Sequence, residues 1–294
     1  MKRIKLLPID ILTIVYCLWV IIIVSLNFSE VRGGWLYLVL YPLYIVFAFL
    51  IAFLDHKYQG RLLHFIHTFY PLLFLTLVYK SLENFIPVIW NGYLDKVVLA
   101  MEKSIFGCHP TLVIDKYVNK TLNEIMKFLY FTYYFYMSIP PLILYLQKRF
   151  KEARRFIFIL IFTYYACYVC FVLFPVEGPG LALSGLYKHR AHVGYFFAPL
   201  QNKIMKNFAA KGACIPSSHV AVAFVSLWLM RKFFGKRIFY IILPFTIGLA
   251  LSTVYNRYHY VTDMVTGVLA AIIFYNIGKI LYRKLSYLDP GSSG

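Results

Sequence analysis

The chain is 294 residues long, with 61% hydrophobic and only 14% charged positions and a mean hydropathy of +0.69. A soluble domain carries about a quarter charged residues, so a soluble fold is excluded and an all-α polytopic membrane protein is expected. The net charge of +18 and pI near 9.6 would point to nucleic acid in a soluble chain. Here they are assigned to basic loops facing anionic lipid head groups, and no nucleic-acid partner is expected.

A bilayer core about 30 Å thick takes about 20 apolar residues per helix. Eight such segments follow in order: 9–28, 35–54, 62–80, 125–146, 156–174, 216–230, 238–255 and 260–282. The first lacks a small-residue cleavage site and reads as an anchor, not a cleaved signal. Pro290 to Gly294 read as a flexible linker or engineered remnant outside the fold. With the N-terminus in the cytoplasm, the short segments 1–8, 55–61, 147–155, 231–237 and 279–294 fall inside. They hold more than half of the 30 Lys and Arg. Both termini are then cytoplasmic, and the long loops 81–124 and 175–215 face the periplasmic, extracellular or lumenal side.

In the first of these loops Leu94, Val97, Val98, Met101 and Ile105 recur at helical spacing, with Asp95, Lys96, Glu102 and Lys103 opposite. The pattern predicts an amphipathic helix on the outer membrane surface, ended by Gly107 and Pro110. Five cysteines give no disulfide framework. Cys17, Cys167 and Cys170 lie in apolar segments as buried thiols. Cys108 and Cys214 share the outer side, where spacing alone leaves a bridge open. His64 and His67 share a face of the third segment near its inner start and read as interface positions.

Three polar stretches stand at the outer ends of the apolar segments. In the stretch from Tyr255 to Gly267, His259 and Asp263 are four apart and are expected on one helical face. The Asp fixes the ring tautomer and leaves the opposite nitrogen free to attack. Arg257 lies in the turn before them, where a guanidinium grips oxyanions in bidentate fashion. Gly267 permits a close helix approach. An ionisable pair entering an apolar helix is expensive, which argues against an incidental cap.

The second stretch is Cys214-Ile-Pro-Ser-Ser-His219. Pro216 suits a first helical turn, Ser217 and Ser218 offer hydroxyl and N–H donors to an oxyanion, and His219 is placed to protonate a leaving alkoxide. Alone this would be an ordinary N-cap; His259 on the same membrane side gives it meaning. The third, Phe174 to Gly180, is a tight Gly/Pro turn, with Glu177 read as a solvated charge. No carboxylate cluster accompanies the histidines, so neither a metal nor a cofactor is expected.

These stretches resemble the type 2 phosphatidic acid phosphatase superfamily, marked in outline by K-x6-R-P, P-S-G-H and S-R-x5-H-x3-D. The second motif stands here as Pro216-Ser217-Ser218-His219, with Ser for Gly. The third stands as Ser252-Thr253, five residues, His259, three residues and Asp263, with Thr for Arg. The resemblance covers roughly residues 62–282. It implies a six-helix catalytic domain over 62–285, two further helices in 1–61, and a tail at 286–294. It also implies that His259 attacks phosphorus, that Asp263 orients it, and that His219 acts as acid and then as base. The first motif's Lys and Arg are absent, since Phe174 to Gly180 holds no basic residue. Arg257 stands in for one, and Lys188, Arg190, Lys203, Lys206 and Lys211 are candidates for the rest.

The stretch Ile105 to Pro110, the Gly-Pro turn and His259-Tyr260-x-x-Asp263 are similar to the inositol phosphorylceramide synthase branch. His-Tyr-x-x-Asp also resembles sphingomyelin synthases. The expected activity is therefore lipid phosphate hydrolysis at the non-cytoplasmic face, on a phosphomonoester or pyrophosphate. The alternative is head-group phosphotransfer from the same site, differing only in the acceptor. A transporter would need ionisable residues at helix midpoints and broken inverted repeats, which the first and sixth segments do not supply. The expected partners are the bilayer and a lipid, entering sideways past Tyr133, Tyr134 and Tyr136; oligomeric state stays open.

Overall fold

The computed structural model describes residues 6–90 and 92–286, so the tail at Pro290–Gly294 lies outside the described residues. In chain order the helices are α1 (Pro8–Leu26), α2 (Gly34–Tyr58), α3 (Arg61–Leu82), α4 (Asp95–Phe106), α5 (Pro110–Asp115), α6 (Lys120–Phe131) and α7 (Tyr133–Leu146). There follow α8 (Phe150–Leu173), α9 (Pro179–Ala182), α10 (Phe197–Phe208), α11 (Ser218–Phe234), α12 (Lys236–Tyr255) and α13 (Val261–Ser286). The fold is all-helical, as the composition requires.

Six helices, α1, α2, α3, α8, α12 and α13, are long and apolar enough to cross a bilayer. They are the long apolar helices of a multi-pass membrane protein. The sequence expectation was eight, and the two that differ do so for visible reasons. The 125–146 segment is broken at Thr132 into α6 and α7, where the Thr132 hydroxyl donates to the Leu129 carbonyl at 2.6 Å. Its helix also begins earlier, because the Asn119 side chain caps the Leu122 N–H at 2.9 Å. The 216–230 segment becomes α11, of 17 residues.

α8 is apolar on every side and forms the axis, packed by α1, α3, α7, α11 and α13. α11 and α13 cross at Gly267. A Cβ there would lie 2.8 Å from the Ser217 carbonyl oxygen, so the close approach expected of this glycine is present.

The structure adds detail to two sequence readings. His67 is buried between Asp10 of α1 and Asp55 of α2, each 2.9 Å from a ring nitrogen. Tyr70 also donates to Asp10, at 2.7 Å. The first three helices are thereby tied by one hydrogen-bonded cluster, which a buried charge requires. The second concerns α4, the helix expected in the 81–124 loop, two of whose carboxylates face the protein. Asp95, Val98 and Glu102 are buried, whereas Val97, Met101 and Ile105 are exposed. The two carboxylates turn inward because backbone N–H groups meet them there, those of Glu177 and Gly178 at Asp95 and those of Val261 and Thr262 at Glu102.

Candidate active site

The loop from α12 to α13 makes the site. Arg257 takes a left-handed backbone (φ +62°), which is strained for a residue with a Cβ and is the kind of strain found at functional turns. The N–H groups of Tyr258 and His259 both return to the Thr253 carbonyl, at 3.0 and 3.1 Å. α13 begins only at Val261, so His259 and Asp263 do not stack on one helical turn as their spacing had suggested. They meet differently. Asp263 accepts the N–H of Tyr260 at 2.9 Å, as the reaching-back half of a capping box does. This brings its Oδ2 to 3.4 Å from His259 Nδ1. That is longer than an ordinary hydrogen bond.

His219 is the second residue of α11. Its ring centroid is 5.9 Å from that of His259, and its Nε2 is 2.7 Å from the Tyr130 hydroxyl. Its Nδ1 and Asp263 Oδ1 are buried and have no hydrogen-bond partner among the described residues. Ser217 is the N-cap and Pro216 lies before the helix, not in its first turn. The Ser217 hydroxyl accepts from Val220 at 3.4 Å and its N–H donates to the Asp263 carbonyl at 3.1 Å, joining the two histidine motifs directly.

The Gly-Pro turn is the third wall. Gly178 has φ +98°, and a Cβ there would fall 2.8 Å from Cys214 Sγ and 2.9 Å from the Tyr258 carbonyl. Only glycine lets this turn lie against the histidine loop. Asp95 clamps it from α4, accepting from Glu177 N–H at 2.9 Å, Gly178 N–H at 3.0 Å and the Tyr260 hydroxyl at 2.9 Å. Glu102 accepts from Val261 N–H at 2.7 Å, a carboxylate at the start of α13. Asp115 takes the Arg257 guanidinium and, at 2.9 Å, the Lys188 N–H. Arg257 also stacks 3.9 Å over the Tyr187 ring.

Two cavities open at this place. The polar one, about 450 Å³, is lined by Lys127, Tyr130, Glu177, Lys211, His219, Arg257 and His259 among others. The apolar one, about 330 Å³, is lined by Tyr79, Tyr133, Tyr134, Met137, Tyr164, Tyr168, Ser218 and His219 among others. His219 borders both. Tyr133 and Tyr134 line the apolar cavity; Tyr136 does not, since it packs towards α12, where its hydroxyl accepts from Thr246 at 3.5 Å.

Of the candidate cations, Lys211 lines the polar cavity but is paired with Glu177 at 2.9 Å, so Glu177 is not merely solvated. Lys188, Arg190, Lys203 and Lys206 are exposed and outside the lining. Lys127 went unnoticed in the sequence because it lies on α6 outside any motif, 132 positions before His259. Its Nζ donates to the Tyr258 hydroxyl at 2.6 Å and to Asn202 Oδ1 at 3.3 Å. Asp95 and Glu102 had a signal: seven apart, they share a helical face with Val98.

Cys108 and Cys214 are free thiols, and Cys214 donates to the Tyr258 carbonyl at 3.5 Å. Ligand atoms of Cys214, His259 and Asp263 lie within 4.8 Å of one another, a donor set that spacing in the sequence did not reveal.

Residues 96–277, more than half of the chain, match the family model of the PAP2 superfamily, and the chain belongs to that superfamily. Its members are generally phosphatases, which makes this chain an enzyme of phosphatase or phosphotransferase type. No curated protein and no solved structure matches the chain.

Proposed function

We propose that this is an integral-membrane lipid phosphate phosphatase that works through a phosphohistidine on His259. The observation that carries the reading is the position of His219 between a polar and an apolar cavity. A phosphoryl group would occupy the polar side, in reach of His259, while the hydrocarbon of the same molecule would occupy the tyrosine-lined side. The ester oxygen between them then falls beside His219. Asp263 holds the His259 ring, and His219 gives its proton to the leaving oxygen and later takes one from water. Arg257 contributes a guanidinium to the phosphate. Ser217 acts through the α11 cap and Ser218 on the apolar side.

In this reading the chemistry needs no metal. Cys214 is engaged by the Tyr258 carbonyl and Asp263 by the Tyr260 N–H, which ties both to the loop. The polar cavity lies at the outer face, α6–α7 and α11 complete an eight-pass arrangement, and both termini are cytoplasmic, as the distribution of Lys and Arg suggests. An inositol phosphorylceramide synthase-like transfer to a lipid alcohol would use the same residues and differ in the acceptor.

Phosphate release from a panel of lipid phosphates, by purified protein in detergent with a chelator, tests the proposal. Release that disappears in His259→Ala supports hydrolysis. Head-group exchange without release, seen only when a phospholipid and a lipid alcohol are both supplied, would replace hydrolysis with transfer. Activity that chelation abolishes and a divalent metal restores would refute the metal-free mechanism.

A further inference from the structure

The superfamily's first-motif cations are missing from this chain, yet the polar cavity holds one buried cation with no anion beside it. Lys127 is 3% exposed. Among the described residues no carboxylate lies within ion-pair distance of it; its two acceptors, the Tyr258 hydroxyl and Asn202 Oδ1, are neutral. An ammonium has three N–H donors, so one is left for a further oxygen. A buried charge without a counter-charge is costly to the fold, and side chains of that kind are retained where function needs them. The other cations around the cavity are compensated: Arg257 by Asp115, Lys211 by Glu177.

We propose that Lys127 is the phosphate-binding cation that replaces the missing first-motif Lys and Arg, its ammonium binding the phosphoryl oxygens of the substrate. This rests on the phosphoryl-transfer reading above. The bond to Tyr258 puts the charge against the residue that precedes His259, so the group that would hold the phosphate is built into the loop that carries the nucleophile. Arg257, with Asp115 on its guanidinium, supplies shape and hydrogen bonds more than net charge. The substrate's dianion is then the counter-ion that the cavity lacks.

The test uses the full-length protein in detergent, with orthovanadate as the phosphate mimic, and compares wild type, Lys127→Met and Lys127→Arg. Vanadate should raise the melting temperature of the wild type and leave that of Lys127→Met unmoved. Lys127→Met without vanadate should melt at or above the wild-type temperature, because a lone buried charge has been removed. Its turnover should fall by about 100-fold or more, the usual loss on deleting an oxyanion-stabilising group, and Lys127→Arg should recover part of it. A Lys127→Met protein that melts lower yet keeps the vanadate shift would make the residue structural and overturn the proposal. So would turnover within about threefold of wild type, below any loss expected of a phosphate ligand. In both cases wild-type activity leaves the phosphoryl-transfer reading intact. A wild type with neither vanadate shift nor phosphoryl turnover would bring down that reading and this proposal together.

Discussion

Glu102 on α4 accepts the N–H of Val261, the first residue of α13, at 2.7 Å, and is itself fully buried. It also takes the N–H and hydroxyl of Thr262, each at 3.3 Å. A carboxylate at this helix start satisfies donors that would otherwise be orphaned and meets the positive end of the helix dipole. Two residues further on is Asp263. Glu102→Ala is expected to lower stability by about 1–3 kcal/mol, the cost of stranding buried donors, and to reduce turnover with it. Glu102→Gln, which keeps an acceptor, should lose less. Thermal unfolding in detergent, measured beside turnover, checks both.

Tyr130 reaches His219 Nε2 at 2.7 Å from a fully buried position. It therefore sets the orientation of the ring that borders both cavities. Tyr130→Phe should leave the fold intact and lower kcat by about tenfold, a loss near 1.4 kcal/mol in the transition state, with little change in KM. An unchanged kcat would show that His219 is oriented by α11 alone.

Acid should loosen the loop around Arg257. Burial pushes the Asp115 carboxyl up, but the Lys188 N–H, the His189 side chain and the Arg257 charge outweigh it and hold it below the ordinary carboxylate value. A folded-state value below the unfolded one gives stability that is complete above about pH 4. It is lost as pH falls through the folded value, where the native carboxylate takes up its proton. The melting-temperature gap between wild type and Asp115→Asn, followed from about pH 6 to about pH 3, should therefore narrow on acidification. A gap independent of pH would contradict the ion pair's role.

Gly267 is where α13 meets α11. Its Cβ in an alanine variant would stand 2.8 Å from the Ser217 carbonyl and 3.0 Å from Val220 Cβ. Neither neighbour is the free end of a flexible side chain, so the helices must part. Gly267→Ala should cost about 1–3 kcal/mol. It should also lower turnover more than a substitution of equal cost far from the site, because Ser217 and Asp263 are joined at this crossing.

Much of this was legible in the chain. The helical class follows from composition, most helix positions from apolar run length, and the three wall-forming stretches from polar residues in places where a membrane protein does not keep them idly. What escaped had one physical cause in common: it depended on contacts between distant segments. The i,i+4 spacing of His259 and Asp263 suggested a shared helical turn, but Asp263 instead caps the start of a helix that His259 precedes. The buried partners of Asp95 and Glu102 were not visible because an amphipathic pattern does not say which face meets the protein. Lys127 had no motif around it, and His67 no visible partner, since Asp10 and Asp55 lie on other helices. Thr132 broke an apolar run whose hydropathy gave no warning.

The most direct test of the central claim is to look for phosphate on His259. Wild-type protein and His219→Ala would be mixed with a lipid phosphate, quenched under alkaline conditions that preserve phosphohistidine, digested, and read by mass spectrometry. A phosphoryl group on the peptide containing His259 in the wild type is the predicted result. Turnover in the wild type with no phosphoryl group on that peptide in either protein, and turnover surviving in His259→Ala, would contradict the covalent mechanism.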